Sequence, residues 1–353
     1  MLPSNWQRVR LGDILTLKHG RDYKKFKLGN IPVYGSGGYM LSINNFLHNG
    51  ESVCIGRKGT IDKPIYLNGK FWVVDTLFYS YSFKKSIPKF IFYAFSIIKW
   101  SNYNEATGVP SLTKMTISNI EILLPPLNEQ IAIANILSDV DHYLCSLDAL
   151  ILKKESVKKA LRIKMLNQIL ASNGVEFKKI GEICLIKRGR VIAKKILQEN
   201  GKYPVYSSQT LNNGILGFID TYDFDGEFLT WTTDGAYAGS VFYRNGRFSI
   251  TNVCGLLQVI QDNIIHKYLY YILQITAPLH VNPGMGNPKL MSAAMQQIEI
   301  PLPPLNEQIA IANILSDLDS EIISLKNKKR QFDNIKKALN HDLMSTKIRV
   351  LKK

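Results

Sequence analysis

A sixteen-residue block occurs twice in the chain, and this repeat constrains the fold more than any other feature. Residues 124–139 and 302–317 both read LPPLNEQIAIANILSD, an offset of 178 in a chain of 353 residues. A period of half the chain length is typical of two tandem copies of one structural unit. A recent duplication without functional meaning is the simpler alternative, but the flanking sequences have diverged while this block has not. We therefore predict two identical surfaces for one repeated partner, beside two domains with different targets.

The charge balance favours a polyanionic partner. The chain has 44 Lys and Arg against 28 Asp and Glu, a formal charge of +16, which favours nucleic acid first and an anionic membrane surface second. We expect the basic residues at the C-terminus to form a frayed, solvated tail. These are Lys347, Arg349, Lys352 and Lys353.

The lack of a recognisable targeting signal and the cysteine usage are what we expect of a cytoplasmic protein. The sequence has no apolar run of the ~18 residues that a membrane-spanning helix needs, and its start lacks the pattern of a signal peptide. The cysteines form no CxxC pair, so we predict reduced thiols and neither a disulfide framework nor a metal site. They are Cys54, Cys145, Cys184 and Cys254.

Proline pairs and composition divide the chain into four segments, which we predict to be 1–123, 124–174, 175–301 and 302–353. The first and third are variable units, in which short β-rich runs such as residues 31–34 are separated by Gly and Asn. Residues 87–100 are apolar and long enough for a helix. Residues 203–208 resemble 31–36, and 286–290 resemble 108–112. We therefore predict one shared α+β fold with divergent exposed residues.

The second and fourth segments have the heptad pattern of a coiled coil. Asn128 is the predicted N-cap of the first helix, which should end near Ser172-Asn173-Gly174. Eight of ten tested seam positions are apolar in each helix, and lysines occupy the others: Lys154 and Lys158 in the first, Lys329 and Lys336 in the second. The seams are Ile133, Leu137, Val140, Leu144, Leu147, Ile151, Leu161 and Met165, and then Ile311, Leu315, Leu318, Ile322, Leu325, Phe332, Leu339 and Leu343.

Connectivity predicts that the two helices pair antiparallel. A helix of about 43 residues is about 64 Å long, whereas a domain of about 130 residues spans only about 35–40 Å. The second variable unit cannot easily return the chain over that distance, as a parallel pair would require. Antiparallel pairing places the variable units at opposite ends about a pseudo-two-fold axis. Such a frame suits two half-sites separated along B-DNA.

A search for catalytic motifs identifies none that we accept. The Pro-Pro pairs are followed by Leu-Asn, not by the aromatic residue of a base-amine methyltransferase loop, and there is no P-loop. Glu176-Phe177-Lys178 resembles the end of a nuclease motif but lacks its upstream Pro-Asp. The six His residues are never at metal-ligand spacing. We therefore predict no catalytic, cofactor-binding or metal-binding residues.

Basic and polar loops are the candidate DNA-facing surfaces. Arg pairs with two acceptors of guanine, and Asn or Gln with adenine, whereas Lys, Ser and Thr more often contact phosphates. An ordinary solvated loop is the alternative for each. The candidates in the first unit are Lys18, Arg21, Lys24, Lys25, Arg57, Lys58 and Thr60. Those in the second unit are Lys187, Arg188, Arg190, Ser208, Gln209, Asn212 and Thr233.

The repeated block carries a family likeness. Residues 125–137 and 303–315 have the pattern P-P-L-x-E-Q-x-x-I-A-x-I-L at the start of a long helix. With two variable α/β units, this resembles the specificity subunit of Type I restriction–modification systems over essentially the whole chain. The resemblance implies two target-recognition domains that read a split double-stranded DNA sequence. It also implies docking of two methyltransferase subunits on the repeat helices, with restriction subunits joining them. S-adenosylmethionine, ATP and Mg²⁺ would then belong to those partners.

Two identical polar triplets lie off the seam, and we predict that they bind the methyltransferase subunits. They are Asn128, Glu129 and Gln130, and Asn306, Glu307 and Gln308. The leading hypothesis is a non-catalytic DNA-recognition and assembly subunit. The alternatives are a recognition chain with its own nuclease or methyltransferase site, and a coiled-coil scaffold without sequence preference.

Overall fold

The computed structural model describes residues 5–171, 174–284 and 286–350, and its internal contacts divide the chain into two compact units. The first unit comprises Met1–Ala149 and Asn327–Lys353, and the second comprises Leu150–Lys326. Each unit therefore contains one globular domain and half of each long helix. The predicted four consecutive segments differ from this division because packing groups each half-helix with the domain that it contacts.

The globular domain of the first unit alternates short strands and short helices. Its main sheets have the strand orders β2-β9-β6-β7 and β4-β3-β8-β5, and β1 pairs antiparallel with β10. The elements are β1 (Gln7–Arg10), α1 (Leu11–Ile14), β2 (Thr16–His19), β3 (Leu28–Gly35), β4 (Gly38–Ile43), β5 (His48–Asn49), β6 (Ser52–Gly56), β7 (Ile65–Leu67), β8 (Lys70–Val73), β9 (Leu77–Tyr81), α2 (Pro88–Ile97), α3 (Lys114–Asn119) and β10 (Glu121–Leu124).

The first long helix, α4 (Leu127–Ala171), begins directly after the proline pair. The carbonyl of Pro126 accepts the backbone N–H groups of Glu129 and Gln130, both at 3.0 Å. Pro126 is therefore the N-cap, and the predicted N-cap at Asn128 is wrong because the helix begins one residue before it. The predicted end at Ser172-Asn173 lies outside the described residues, and Gly174 has a φ of +83°.

The globular domain of the second unit repeats this plan around one larger sheet. Its strand order is β12-β17-β15-β16-β13-β14, and β11 pairs antiparallel with β18 as β1 does with β10. The elements are β11 (Glu176–Lys179), α5 (Ile180–Ile183), β12 (Cys184–Arg188), β13 (Tyr203–Tyr206), β14 (Ile215–Ile219), β15 (Phe224–Thr232), β16 (Val241–Ile250), β17 (Cys254–Val259), α6 (His266–Thr276), α7 (Ser292–Gln296), β18 (Glu299–Leu302) and the second long helix, α8 (Leu305–Met344).

Ion pairs within each unit give the direction of the two long helices. In the first unit Asp141 of α4 pairs with Lys336 of α8, and Asp148 pairs with Lys329 at 2.7 Å. Numbers that rise along α4 fall along α8, so the predicted antiparallel pairing is confirmed. The lysines that interrupt the apolar seam form these contacts. The pairs of the second unit are Lys154–Glu321, Lys158–Asp319 and Glu155–Lys326.

Apolar seam residues bury the interface that the heptad pattern predicts. Leu137 is 0% exposed and Leu315, its repeat counterpart, is 1% exposed. Leu137 belongs to the core of the first unit, together with Phe90 and Phe95 of α2. Burying such side chains stabilises by about 1.5–3 kcal/mol each. The long helices are therefore part of each domain's core.

The described residues include no helix that is both long enough and apolar enough to cross a membrane.

Candidate nucleic-acid interface

The loop after β6 is held in a defined shape by a neighbouring loop. Gly59 has a φ of +89°, which favours glycine, and its N–H donates to the carbonyl of Pro110 at 2.8 Å. Lys58 forms an isolated β-bridge with Ser111. These contacts fix the direction in which residues 57 and 58 leave the sheet.

The loop after β15 has the same backbone frame in the second unit. Gly235 has a φ of +94°, and its N–H donates to the carbonyl of Pro288 at 3.0 Å. Asp234 forms a β-bridge with Lys289. The predicted correspondence of 108–112 with 286–290 therefore appears as matching hydrogen bonds, which hold the loops at 57–60 and 232–235 in the same way.

The side chains on this shared frame differ between the units. Arg57 is half-buried and donates from Nη1 to the carbonyl of Asp75 at 3.1 Å, while Lys58 is exposed and Thr60 is half-buried. Thr233 is 0% exposed, and its hydroxyl donates to Asp234 at 2.5 Å. The prediction that Thr233 faces DNA is wrong, because its side chain lies inside the domain.

The structure brings two predicted basic runs of the first unit together. His19, at the end of β2, lines a cavity of about 740 Å³ with Arg57, Lys58 and Lys114. Lys18, beside His19, is exposed, and its Nζ lies 4.5 Å from the ring centroid of Tyr81. The result is a concave surface lined by cations, a shape and charge that suit a phosphate backbone.

The other basic residues of the first unit lie in the loop between β2 and β3. Arg21, Lys24 and Lys25 are all exposed. A Cβ at Gly20 would lie 2.0 Å from the carbonyl oxygen of Val74. Only glycine therefore fits at the start of this loop, where it passes close to the backbone of residue 74. Gly189 is equally restricted in the second unit, at 2.2 Å from the carbonyl oxygen of Thr251.

The basic residues after β12 differ in how far their charges are compensated. Lys187 and Arg188 are exposed, and Arg188 donates from Nη2 to the carbonyl of Asn252 at 2.6 Å. Arg190 forms an ion pair with Asp223, with Nε 2.9 Å from Oδ2. Arg190 is therefore the weakest candidate of the three, because a carboxylate already satisfies it.

The polar loop before β14 has an unusual backbone. Asn212 (φ 47°) and Asn213 (φ 53°) are both left-handed, a conformation that Asn tolerates better than most residues. Asn212 is exposed, and Ser208 is half-buried. The side-chain amide of Gln209 donates to the carbonyl of Ile215, so this amide stabilises the loop. Asn212 is the more accessible candidate for a base contact.

Arg244 lies beside this polar loop, and sequence reasoning missed it. It is only 3% exposed, its guanidinium carbon lies 3.5 Å from the ring centroid of Tyr206, and its Nε donates to Thr230 at 3.2 Å. Among the described residues its Nη1 has no hydrogen-bond partner. Burial lowers its pKa to about 10. An isolated Arg within a strand gave no motif, so only its burial identifies it.

The two repeated glutamines of the predicted docking triplets face inward. Gln130 is 0% exposed; it accepts the N–H of Ile87 at 3.0 Å and donates to the carbonyls of Lys85 and Pro125 at 2.9 and 2.8 Å. Gln308 makes the matching contacts with Ile265, Asn263 and Pro303 at 3.1, 3.1 and 2.9 Å. The prediction that these side chains contact a partner is wrong, because they are used within their own units.

Glu129 and Glu307 differ although their sequence blocks are identical. Glu129 is 2% exposed; it accepts from Trp6 Nε1 at 3.1 Å and from Arg349 Nε at 2.8 Å. Arg349 is therefore not part of a solvated tail, while Lys347 pairs with Asp342 at 3.3 Å. The predicted tail residues Lys352 and Lys353 lie outside the described residues. Glu307 is exposed.

The exposed face of each repeated block is apolar at its centre. Leu127 and Ile131 are 49% and 48% exposed, and their counterparts Leu305 and Ile309 are 42% and 41% exposed. Asn128 and Asn306 lie on the same face and are also exposed. Residues at i and i+4 are neighbours on a helix, so each block presents one small apolar patch. We call these the Leu127–Ile131 patch and the Leu305–Ile309 patch.

In the described ranges, no group of three or more His, Cys, Asp or Glu side chains is placed to hold a metal ion.

Comparison with known proteins identifies the family. The family model for the Type I restriction modification DNA specificity domain matches residues 3–154 and 172–332. The chain belongs to this family. Specificity subunits are the non-catalytic DNA-recognition components of Type I systems, so the prediction that the chain is not an enzyme is confirmed.

Individual relatives agree with this membership. A putative type I specificity subunit of Mycoplasma pneumoniae is 40% identical over 219 residues, which are 60% of this chain and 80% of the relative. The type I restriction enzyme MpnII specificity subunit of the same organism is 48% identical over 137 residues, or 38% of this chain and 41% of the relative. The crystal structure of a Type-I restriction-modification S subunit from M. genitalium has a TM-score of 0.75 at 18% identity and covers 98% of both chains. The predicted fold class is confirmed by this likeness.

Proposed function

We propose that the two globular domains of this specificity chain, within residues 1–123 and 175–301, each read one part of a split double-stranded DNA target. The observation that carries the proposal is the shared loop frame, with Gly59 bonded to Pro110 and Gly235 bonded to Pro288. One backbone frame presents different side chains in the two units. Two domains that bind DNA in the same orientation but recognise different sequences need a common backbone frame with different side chains.

The exposed cations supply the sequence-independent part of this binding. Lys18, Lys58, Lys187 and Arg188 are exposed, and such residues bind phosphates and position the protein on the duplex. Base contacts then come from Arg and Asn side chains with free donors, such as Arg57 and Asn212. The net charge of +16 favours fast association with DNA.

We further propose that two methyltransferase subunits dock on the exposed faces of the repeated block, and that restriction subunits join them. The two apolar patches replace the predicted contacts of Glu129, Gln130 and Gln308, because these side chains are buried and the patches are exposed. Their identical sequences suit two copies of one partner. S-adenosylmethionine, ATP and Mg²⁺ would bind those partners, and the complex would act in the cytoplasm.

A domain exchange tests the reading of a split target. Residues 175–301 are replaced by the corresponding domain of another specificity subunit, and the chain is expressed with its methyltransferase partner. Methylated sites are then mapped across the host genome. We expect one half of the methylated sequence to change and the other to stay, because each domain reads its own part.

The reciprocal exchange of residues 1–123 is the matched control and should change the other half. A change of both halves in either exchange, or of neither while methylation persists, would refute the division of labour. Methylation without sequence preference would favour the scaffold hypothesis.

A further inference from the structure

A cavity in the second unit lies outside the surfaces assigned to DNA and to the methyltransferase subunits. It is formed by the second half of α4, the first half of α8 and the end of α6, and its volume is about 600 Å³. Cavities that bind small molecules typically measure about 300–1,000 Å³. The cavity therefore has the size of a small-ligand site.

The charges around this cavity do not balance. Two carboxylates line it, and each is already paired: Glu155 with Lys326 at 2.6 Å, and Asp319 with Lys158. Lys159 and Arg162 also line it. In the part of the chain that the structure describes, these two cations form no ion pair. The cavity therefore has a surplus of two positive charges.

Two residues that line the cavity, Arg162 and Gln274, also have buried polar atoms without partners. Among the described residues, Nε of Arg162 and Oε1 of Gln274 are buried without a hydrogen bond, whereas Nε2 of Gln274 donates to the hydroxyl of Tyr270 at 2.6 Å. Burial lowers the pKa of Arg162, which means that the charged guanidinium is desolvated without full compensation. Buried groups of this kind are stabilised when a ligand supplies the missing partner.

The corresponding place in the first unit shows that the fold does not require these residues. By the offset of 178, Arg162, Tyr270 and Gln274 correspond to Asn340, Phe92 and Ser96. Asn340 is 5% exposed and donates to the carbonyl of Tyr93 at 3.1 Å. The surrounding contacts match, because the bond from Tyr271 to Asp319 has its counterpart in the bond from Tyr93 to Asp141, both at 2.7 Å. Arg162, Tyr270 and Gln274 are thus particular to the second unit, whereas Lys159 has the counterpart Lys337.

Isoleucines form an apolar wall beside the unpaired cations. Ile163 and Ile323 line the cavity and are 48% and 58% exposed. A ligand that matches both features carries one anionic group and a compact apolar body.

We propose that this cavity binds an organic phosphate monoester. Such a group carries about −1.5 to −2 charges at neutral pH, which matches the surplus on Lys159 and Arg162. The phosphate oxygens accept from the guanidinium of Arg162 and from Lys159, and Oε1 of Gln274 accepts from the hydroxyl of the monoanionic form of the phosphate. The apolar body packs on Ile163 and Ile323. This site is independent of DNA reading and of methyltransferase docking.

Calorimetric titration of the full chain with phenyl phosphate tests the proposal. We expect one saturable site for phenyl phosphate, weaker binding of inorganic phosphate and none of phenol. Arg162→Asn should raise Kd by about tenfold, as expected for a lost charged hydrogen bond. That residue already occupies the equivalent place in the first unit, so the variant should fold. Lys159→Gln, at an exposed position, should weaken binding in the same direction.

Lys153→Gln is the matched control, because Lys153 is an exposed cation of the same helix that does not line the cavity. It should change Kd less than about twofold. Equal losses in Lys153→Gln and Arg162→Asn would overturn the proposal in favour of general charge attraction. Equal affinity for phenyl phosphate and inorganic phosphate would overturn the assignment of a monoester. Competition by duplex DNA would overturn the independence of the site and make the cavity part of the DNA surface.

Discussion

At the scale of single residues, Gln130 and Gln308 show why a sequence block can stay identical in two diverged halves. Each side chain satisfies one N–H and two carbonyl groups of the backbone around the start of a long helix. Buried backbone groups need such partners. Each glutamine therefore joins a long helix to the segment that leads into α2 or α6 of its own domain.

Removing either glutamine amide should destabilise its unit. Gln130→Met or Gln308→Met keeps the length of the side chain but leaves buried backbone groups unpaired. We expect the free energy of unfolding to fall by about 1–3 kcal/mol for each, measured by guanidinium denaturation. Asn128→Ala and Asn306→Ala change exposed amides in the same turns and should stay within about 0.5 kcal/mol of the parent chain. Similar losses for Asn and Gln would contradict the structural role.

At the scale of elements, a Tyr–Asp–Lys triad in each unit fastens a domain helix to both long helices. In the first unit Tyr93 of α2 donates to Asp141 of α4, which pairs with Lys336 of α8. In the second unit Tyr271 of α6 donates to Asp319 of α8, which pairs with Lys158 of α4. Burial, reinforced by the bond to the carboxylate, raises the pKa of both tyrosines. The long helices have exchanged roles between the triads, as expected for an antiparallel pair within an internal repeat.

Neutralising the aspartate of one triad should loosen the domain helix that it holds. Asp319→Asn removes the charge that binds Lys158 and weakens the bond from Tyr271. We expect amide hydrogen exchange in α6 to accelerate, with a local loss of about 1–3 kcal/mol. Asp317→Asn, an exposed change two residues away, should leave α6 unaffected. If Asp319→Asn leaves amide hydrogen exchange in α6 unchanged, the triad does not hold this helix.

At the scale of the whole molecule, the internal repeat should determine the composition of the complex. One chain offers the Leu127–Ile131 patch and the Leu305–Ile309 patch, whose residues are identical and similarly exposed. Exposed apolar patches with a polar rim mark protein–protein interaction sites. One chain should therefore bind two methyltransferase subunits.

Native mass spectrometry of the co-expressed complex checks this number. We expect one parent specificity chain to bind two methyltransferase subunits. A chain with Ile131→Asp or Ile309→Asp should bind one methyltransferase subunit, and a chain with both changes should bind none, because each Asp places a charge in an apolar contact. Leu152→Asp alters a residue of α4 that is 64% exposed outside the repeated block, and should assemble fully. A one-to-one parent complex, or full assembly of the double variant, would exclude the patches as docking sites.

Those features that depend on local pattern and chain length could be predicted from the sequence. The sixteen-residue repeat, the heptad seams and the limited span of a domain predict two α+β units and an antiparallel pair of helices. Matching short motifs also identify residues 286–290 as the counterpart of residues 108–112. Regular periodicities and turn residues determine these features through neighbouring residues, so an isolated sequence contains them.

Which polar side chains face inward was decided by the tertiary structure alone. The sequence predicts that Thr233 and Gln130 are exposed polar residues, but both are 0% exposed. Arg244 became a candidate only through its burial, and Arg349 reaches Glu129 across 220 residues of chain. Glu129 and Glu307 have different surroundings although their blocks are identical, because Glu129 accepts from Trp6 and Arg349 and is buried, whereas Glu307 is exposed. The burial of a polar group depends on partners that are distant in sequence, and these meet only when the chain has folded.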